Sequence, residues 1–175
     1  MVSLLEAFVM GLVQGITEFI PVSSSGHLVI VPWLLRWPQP GLAFDTMVHL
    51  GTLMAVLAYF AADYVTLVRS WLRSLRTRTI PDQDARLAWL LIVATIPAVL
   101  AGFFLENWFE QMFAMPGIVG VFLIVTAALL LVAERVGRQN RDLGSLGLAM
   151  AAFIGCAQAL AIAPGISRSG ATIAA

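Results

Sequence analysis

Two short polar segments interrupt an otherwise apolar sequence and carry the side chains that could do chemistry. The first, TEFIPVSSSGHL at residues 17–28, holds Glu18, three consecutive serines and His27. The second, PGISRSGAT at residues 164–172, holds Arg168 between two serines. Arginine presents a planar fork of donors that matches phosphate oxygens, and serine hydroxyls add further donors or a nucleophile. Together the two segments predict a site that handles phosphate.

Spacing within these segments predicts a role for each polar side chain. Ser24 and His27 lie three residues apart, which brings a nucleophile and its base within hydrogen-bond reach if a helix resumes there. Gln14 and Glu18 lie four apart on the preceding helix, and their oxygens suit Mg²⁺ or Ca²⁺. The predicted catalytic residues are Ser24, His27, Glu18 and Arg168, and the predicted metal ligands are Glu18 and Gln14. The predicted substrate-binding residues are Ser23, Ser25, Gly26, Ser167, Ser169, Gly170 and Thr172.

Structural explanations compete with these roles. A serine run often caps a helix, a lone histidine near a helix start is often structural, and Glu18 with Arg168 could form a buried ion pair. An arginine between two serines, opposite a second hydroxyl-rich segment, favours the functional interpretation. Asp45 and His49 share a helix face and could supply outer contacts to the site, whereas Asp63 suits an interfacial position.

The composition places the chain in a membrane. Hydrophobic residues make up 60% of it and charged residues 11%, far below the roughly 25% of soluble domains. Three stretches, 46–68, 87–105 and 112–133, are apolar enough to cross a bilayer, which takes about 20 residues. The net charge of zero and the lack of a basic patch give no indication of nucleic-acid binding, and no such partner is expected.

Charges in the connecting loops predict the orientation of these spans. The loop after the first span carries five arginines, the next loop has acidic residues only, and the third has arginines again. The arginine-bearing loops should face the cytoplasm under the positive-inside rule, and aromatic residues of the middle loop suit an interfacial belt. The arginines are Arg69, Arg73, Arg76, Arg78 and Arg86, then Arg135, Arg138 and Arg141; the middle loop holds Glu106, Glu110, Trp108, Phe109 and Phe113.

Two further apolar segments are each interrupted by a proline and polar residues, which predicts a helix, a break and a second helix in each. An offset of 144 residues superimposes them and pairs Ser23 with Ser167, among other matches. Because three spans separate them, the two hairpins should enter from opposite faces and meet near the midplane, as in inverted-repeat transporters. We predict one all-α polytopic membrane domain, 1–175, in which re-entrant hairpins at 1–35 and 143–175 form an inverted repeat around three transmembrane helices within 44–134.

These motifs resemble those of the undecaprenyl-diphosphate phosphatase family, also called the bacitracin-resistance family. QGITE, residues 14–18, is similar to that family's signature of glutamate or glutamine followed four residues later by glutamate. PGISRSGAT is similar to its Pro-Gly-x-Ser-Arg-Ser-x-x-Thr signature, and PVSSSGH is similar to the segment between the two. The resemblance runs from the N-terminus to the last residue.

The resemblance implies a multi-pass enzyme of the bacterial inner membrane. The expected reaction removes the terminal phosphate from a polyprenyl diphosphate with the help of a divalent metal, and so recycles the lipid carrier of cell-wall synthesis. By position, Glu18 and Arg168 would be the essential acidic and phosphate-binding residues, Ser24 the nucleophile and His27 the histidine of the same motif. The sequence leaves open whether the protein forms a homodimer.

Two departures from the family pattern matter. Gln14 stands where many members have glutamate, which removes a negative charge from the predicted metal site. The chain also stops at Ala175, whereas the family continues with further spanning helices, so we expect a truncated chain with an incomplete second hairpin.

A secondary transporter or lipid-phosphate flippase is an alternative to the phosphatase function, because inverted repeats with a midplane site are typical of carriers. An inactive fragment is another.

Overall fold

The structure, a computed structural model, describes residues 2–137 and 143–175. Within these residues the chain is helical and contains no strand, which confirms the predicted all-α class. Arg138 and Arg141, on which the predicted orientation partly depends, lie outside the described residues. The helices are α1 Leu4–Thr17, α2 Ser24–Leu35, α3 Leu42–Tyr59, α4 Ala61–Thr77, α5 Gln83–Phe113, α6 Pro116–Val136, α7 Leu148–Leu160 and α8 Arg168–Ala174, with a short 3-10 turn at Leu143–Ser145.

Three of the described helices, α3, α5 and α6, are long and apolar enough to cross a membrane, which confirms the predicted number of spans. The predicted bounds of the first span, 46–68, are wrong. Its helix ends at Tyr59, and after Phe60 the chain begins α4, which contains Asp63 and several arginines. The apolar run that a bilayer requires therefore stops before α4 and does not continue through it.

The second and third spans also differ from their predicted bounds. α5 is 31 residues long and reaches Phe113, because the segment 105–113 has neither glycine nor proline and contains several good helix formers. The middle loop is therefore shorter than predicted and consists of the short connection between Phe113 and Pro116, the first residue of α6. Phe109, predicted for an interfacial belt, is buried at 6% exposure, whereas Trp108 is exposed.

The long helix α5 is a centre of the packing, with α4 and α7 both lying against it. The contact with α7 is close because Gly155 has no side chain: a Cβ there would lie 2.4 Å from the carbonyl oxygen of Ala94. Large apolar side chains such as Phe103, at 76% exposure, and Ile124, at 71%, point outward from the spanning helices. Such a surface is expected where helices contact lipid chains.

Both interrupted segments consist of a helix, a break and a second helix, as predicted. α1 ends at Thr17 and α2 begins at Ser24, while α7 ends at Leu160 and α8 begins at Arg168. α2 and α8 both pack against α6, which brings the two breaks together. Entry of the two hairpins from opposite faces of the bilayer stays a prediction.

Candidate active site

The two breaks meet and enclose a small cavity of about 70 Å³. Residues of both breaks line it, and they include most of the polar side chains that the sequence singles out. The lining residues are Thr17, Glu18, Ser23, Ser24 and Ser25 from the first break, and Ala161, Ile166, Ser167, Arg168 and Ser169 from the second. The structure thus brings the acid of one segment and the guanidinium of the other to one place.

Each helix that follows a break begins with the same serine cap. In the first break, Ser23 Oγ accepts a hydrogen bond from the amide of Gly26 at 3.3 Å; in the second, Ser167 Oγ accepts one from the amide of Gly170 at 3.0 Å. In both, the hydroxyl two residues after the cap lies beside the cap hydroxyl, at 3.4 Å and 3.0 Å. The sequence repeat therefore extends to the side-chain hydrogen bonds, whereas the backbone differs, with a φ of 64° at Ser23 and −77° at Ser167. The two cap serines stabilise helix starts as well as lining the cavity.

The repeat diverges at the positions that could do chemistry. Under the same offset of 144 residues, the counterpart of Glu18 is Ile162, and the counterpart of Ser24 is Arg168. One copy supplies a carboxylate and a hydroxyl, and the other supplies a cation. A site that combines the carboxylate with the cation therefore requires both breaks.

Glu18 is the centre of the polar contacts. Its Oε2 accepts hydrogen bonds from the side-chain amide of Gln14 at 3.0 Å and from the hydroxyl of Ser24. The Nε2 of His49 lies 3.8 Å from the same oxygen, and Nη2 of Arg168 lies 3.9 Å from Oε1. A carboxylate that accepts a hydrogen bond from a serine hydroxyl is in position to take the hydroxyl proton.

The predicted contact between Ser24 and His27 is not formed. His27 Nδ1 donates to the carbonyl oxygen of Ser23 at 2.8 Å, since a carbonyl can only accept, and His27 does not line the cavity. Ser24 instead donates to Glu18, which lies earlier in the same break. Spacing within one helix carries no information about the chain segment that folds back against that helix. Glu18 is the better-placed base.

The guanidinium of Arg168 is open to solvent, with 63% of its side chain exposed against 27% for Glu18. Their separation of 3.9 Å is longer than a hydrogen bond. The pair is therefore not the buried, hydrogen-bonded ion pair that the structural explanation requires. No hydrogen bond joins the guanidinium to another described residue, so its donors can meet an anion in the cavity.

Three predicted substrate-binding residues lie outside the cavity lining. The amides of Gly26 and Gly170 donate to the serine caps, so these two donors are already paired. A Cβ at Gly26 would lie 2.9 Å from a side-chain carbon of Leu123, which shows that this glycine allows close packing against α6. Thr172 donates to the carbonyl oxygen of Arg168 at 2.8 Å, the backbone contact typical of threonine within a helix.

Thr126 on α6 holds the second break in place and is not among the residues predicted from the sequence. Its buried hydroxyl donates to the carbonyl oxygen of Gly165 at 2.9 Å and accepts from the amide of Ser167 at 3.2 Å. Gly165 has a φ of +100°, a conformation that favours glycine. The available signal is a single threonine in the apolar run of α6, since a hydroxyl at membrane depth needs a partner.

Helix α3 supports Glu18 through two further contacts. Gln14 is fully buried, and its amide nitrogen lies 3.4 Å from the hydroxyl of Thr52 as well as within reach of Glu18. His49 Nδ1 donates to the carbonyl oxygen of Asp45 at 2.7 Å, which directs Nε2 toward Glu18. The predicted outer contact is therefore seen for His49, whereas Asp45 contributes through its backbone.

The site offers a single carboxylate to a divalent cation. Among the described residues, no three His, Cys, Asp or Glu side chains cluster as a metal site would need. Glu18 beside serine hydroxyls still fits a hard cation such as Mg²⁺, which is often held by one or two carboxylates plus substrate phosphates. Gln14, the other predicted ligand, donates to Glu18 through its amide nitrogen, while its buried Oε1 has no partner within the described chain and so stays available to a cation.

Comparisons with known proteins match the resemblance drawn from the motifs. Residues 7–175 match the family model described as Bacitracin resistance protein BacA. Proteins named undecaprenyl-diphosphatase from Thermomicrobium roseum and Desulforudis audaxviator are 48% and 50% identical to this chain over 97% of it. A third, from Moorella thermoacetica, is 47% identical over 99% of it. The chain spans 64%, 63% and 64% of the lengths of these relatives. The family and the spanning helices together identify a multi-pass membrane protein.

Proposed function

Because the chain belongs to the Bacitracin resistance protein BacA family, we propose that its two breaks form the active site of an undecaprenyl-diphosphatase. The reaction is hydrolysis of undecaprenyl diphosphate to undecaprenyl phosphate and inorganic phosphate, which recycles a lipid carrier for peptidoglycan synthesis. One observation supports the proposal above the others. Ser24 donates a hydrogen bond to Glu18 in a cavity that Arg168 also lines.

In the proposed first step, the Ser24 hydroxyl oxygen attacks the terminal phosphorus in line with the bridging oxygen of the diphosphate. The hydroxyl proton passes to Glu18, the bond from the terminal phosphorus to the bridging oxygen breaks, and undecaprenyl phosphate leaves. Water then attacks the phosphoserine. Glu18 returns its proton to the Ser24 oxygen, and the released phosphate carries the hydroxyl and the proton of the water.

Phosphoryl transfer depends mainly on positioning and on stabilising negative charge. Arg168 lines the cavity beside Ser24 and has donors available for the oxygens of the terminal phosphate. The first amides of α2, those of Ser24 and Ser25, have no acceptor among the described residues, and both residues line the cavity. Free amides and the positive end of the helix dipole favour the binding of an anion at such a helix start.

Apolar residues beside the cavity suit the polyprenyl chain of the substrate. A cavity of about 70 Å³ can take a phosphate group but not a long lipid tail. Phe19 and Ile20 in the first break are 60% and 46% exposed, and Leu160 at the end of α7 is 72% exposed. Each lies close in sequence to a lining residue, so the tail can pack on these side chains while the diphosphate occupies the cavity.

We further propose that a divalent cation, Mg²⁺ or Ca²⁺, takes part, with Glu18 holding it and Gln14 orienting Glu18 through its hydrogen bond. When bound, the cation would neutralise charge on the diphosphate.

We also propose that the protein resides in the bacterial inner membrane. Assembly as a homodimer stays a prediction.

Direct attack by water, with Ser24 only binding the substrate, is the alternative within the same reaction. The hydrogen bond from Ser24 to Glu18 favours the covalent route, because it prepares the serine for deprotonation. Mass spectrometry after rapid quenching of a single turnover should find phosphate on Ser24. Product formation without any phosphoserine would instead support the direct attack.

Release of inorganic phosphate from undecaprenyl diphosphate by the purified 175-residue chain tests the function itself. We expect Glu18→Gln and Arg168→Gln each to reduce kcat by about 100-fold or more, since they remove the proton acceptor and the phosphate-binding charge. Glu106→Gln and Arg135→Gln change exposed charges outside the cavity lining and should keep full activity. Movement of the lipid without phosphate release would support a flippase and refute the hydrolase.

A further inference from the structure

Helix α4 has an exposed apolar face beside a row of arginines. It is not among the helices apolar enough to span a membrane. Five large side chains, mainly apolar, nevertheless recur along one side of it and are exposed. They are Tyr64, Val65, Val68, Leu72 and Leu75, at 41% to 52% exposure. This periodicity is typical of a helix that lies in a membrane surface.

The side of α4 that packs against the protein is mixed in character: its two buried residues are serines, whereas Leu67 and Trp71 are half-buried and the Trp71 ring lies 6.0 Å from that of Trp89. Ser70 and Ser74 are its buried residues, and they face α5 and the turn before it. Trp89 Nε1 donates to Ser74 Oγ at 2.8 Å, and Ser70 Oγ lies 3.5 Å from Asp82 Oδ2. A surface helix of a water-soluble domain would bury its apolar stripe instead. The apolar face of α4 is thus left for a lipid environment.

Most of the arginines next to the apolar face have no partner among the described residues, and Arg73 is the exception. Arg73 forms an ion pair with Asp82 at 3.3 Å. Arg69, Arg76 and Arg78 are exposed and have neither an ion pair nor a side-chain hydrogen bond with any residue that the structure describes. Long arginine side chains beside apolar surface can extend to lipid headgroups while their aliphatic parts stay among the acyl chains.

An open groove of about 350 Å³ lies where α4 meets the beginning of α5. It combines a cation, hydroxyl groups and apolar side chains, which matches the phosphate and the upper acyl region of a phospholipid. The lining residues are Ser74, Leu75, Arg78, Thr79, Ile80 and Trp89. None of them lines the cavity between the breaks, so the groove is a separate place on the protein.

We propose that α4 and this groove bind anionic phospholipids of the surrounding membrane. Arg69, Arg76 and Arg78 contact phosphate headgroups, and the exposed apolar face of α4 rests among the acyl chains. Near an anionic surface each arginine contributes roughly fivefold to affinity, whereas a zwitterionic headgroup offers no net charge to attract it. The site should therefore prefer phosphatidylglycerol to phosphatidylcholine. It does not depend on the proposed hydrolase activity.

Native mass spectrometry of the whole chain in detergent, titrated with phosphatidylglycerol or with phosphatidylcholine, measures this preference. The variant Arg69→Gln/Arg76→Gln/Arg78→Gln should bind phosphatidylglycerol roughly 100-fold more weakly and phosphatidylcholine as before. Replacement of the same three residues by lysine keeps the charge and should retain most of the preference. Circular dichroism checks that each variant is folded, and single substitutions, each expected to cost roughly fivefold, serve if the triple variant is not.

Arg36→Gln/Arg135→Gln is the control, because it removes two exposed arginines away from α4, one directly after α2 and one in α6. The control should bind phosphatidylglycerol as the unsubstituted chain does. Equal binding of the two lipids by the unsubstituted chain would overturn the proposal. Full retention of phosphatidylglycerol by the folded glutamine variant, or an equal loss in the control, would overturn it as well.

Discussion

Replacement of Thr126 by valine should loosen the second break from α6 while keeping the apolar packing. The Thr126 hydroxyl donates to the carbonyl oxygen of Gly165 at 2.9 Å and accepts from the amide of Ser167 at 3.2 Å. Valine has nearly the same shape but no hydroxyl, so it leaves a buried carbonyl and a buried amide without partners. Interhelical hydrogen bonds in membrane proteins contribute about 0.6 kcal/mol on average and up to about 1.7, so loss of the two should cost about 1 to 3 kcal/mol.

Thermal unfolding in detergent, followed by tryptophan fluorescence, measures this loss. For a chain of this length the expected decrease in Tm is about 2 to 12 °C. Phosphate release should fall too, because the loosened break carries Arg168. Thr95→Val is the matched control, since Thr95 is exposed and its hydroxyl donates to the carbonyl oxygen of Leu91 in the same helix, at 2.8 Å. Equal Tm values for the two variants would refute the role assigned to Thr126.

Three further variants or treatments test other parts of the site. Gly165→Ala should destabilise the chain by about 3 kcal/mol or more, because its φ is +100° and a Cβ would lie 2.5 Å from a backbone oxygen of α6. The control Gly120→Ala has open space around the added Cβ and should leave Tm unchanged. Chelation of divalent cations should stop phosphate release and added Mg²⁺ or Ca²⁺ should restore it; release that persists after exhaustive chelation would exclude the cation. His27→Asn should lower kcat much less than Glu18→Gln, because Ser24 donates to Glu18, and the reverse order would assign the base role to His27.

The meeting of the two breaks follows from features that are visible in the sequence. A proline and polar residues inside an apolar segment mark each break. The offset of 144 residues pairs Ser23 with Ser167, and their cap hydrogen bonds correspond in the structure. Ionisable residues at membrane depth need polar surroundings, so the sequence alone predicts that Glu18 and Arg168 lie near each other.

Contacts between different segments are not encoded in spacing along one helix. Ser24 reaches Glu18 across the break, next to Ser23, which adopts a left-handed φ of 64° that is uncommon for serine. Thr126 shows no pattern beyond its polarity, because its partners lie far along the chain. The predicted end of the first span is wrong for a related reason, because the mostly apolar residues 61–68 hide the amphipathic period that begins with α4.

A double-mutant cycle between Ser24 and Arg168 tests most directly whether the two breaks act on one phosphate. The measurement is kcat/KM for Ser24→Ala, for Arg168→Gln and for the double variant. Residues that act as a unit on one phosphoryl group are strongly non-additive, so we expect the double variant to be barely slower than the slower single variant. If the two single losses multiply in full, the residues act independently, and a shared phosphate site is contradicted.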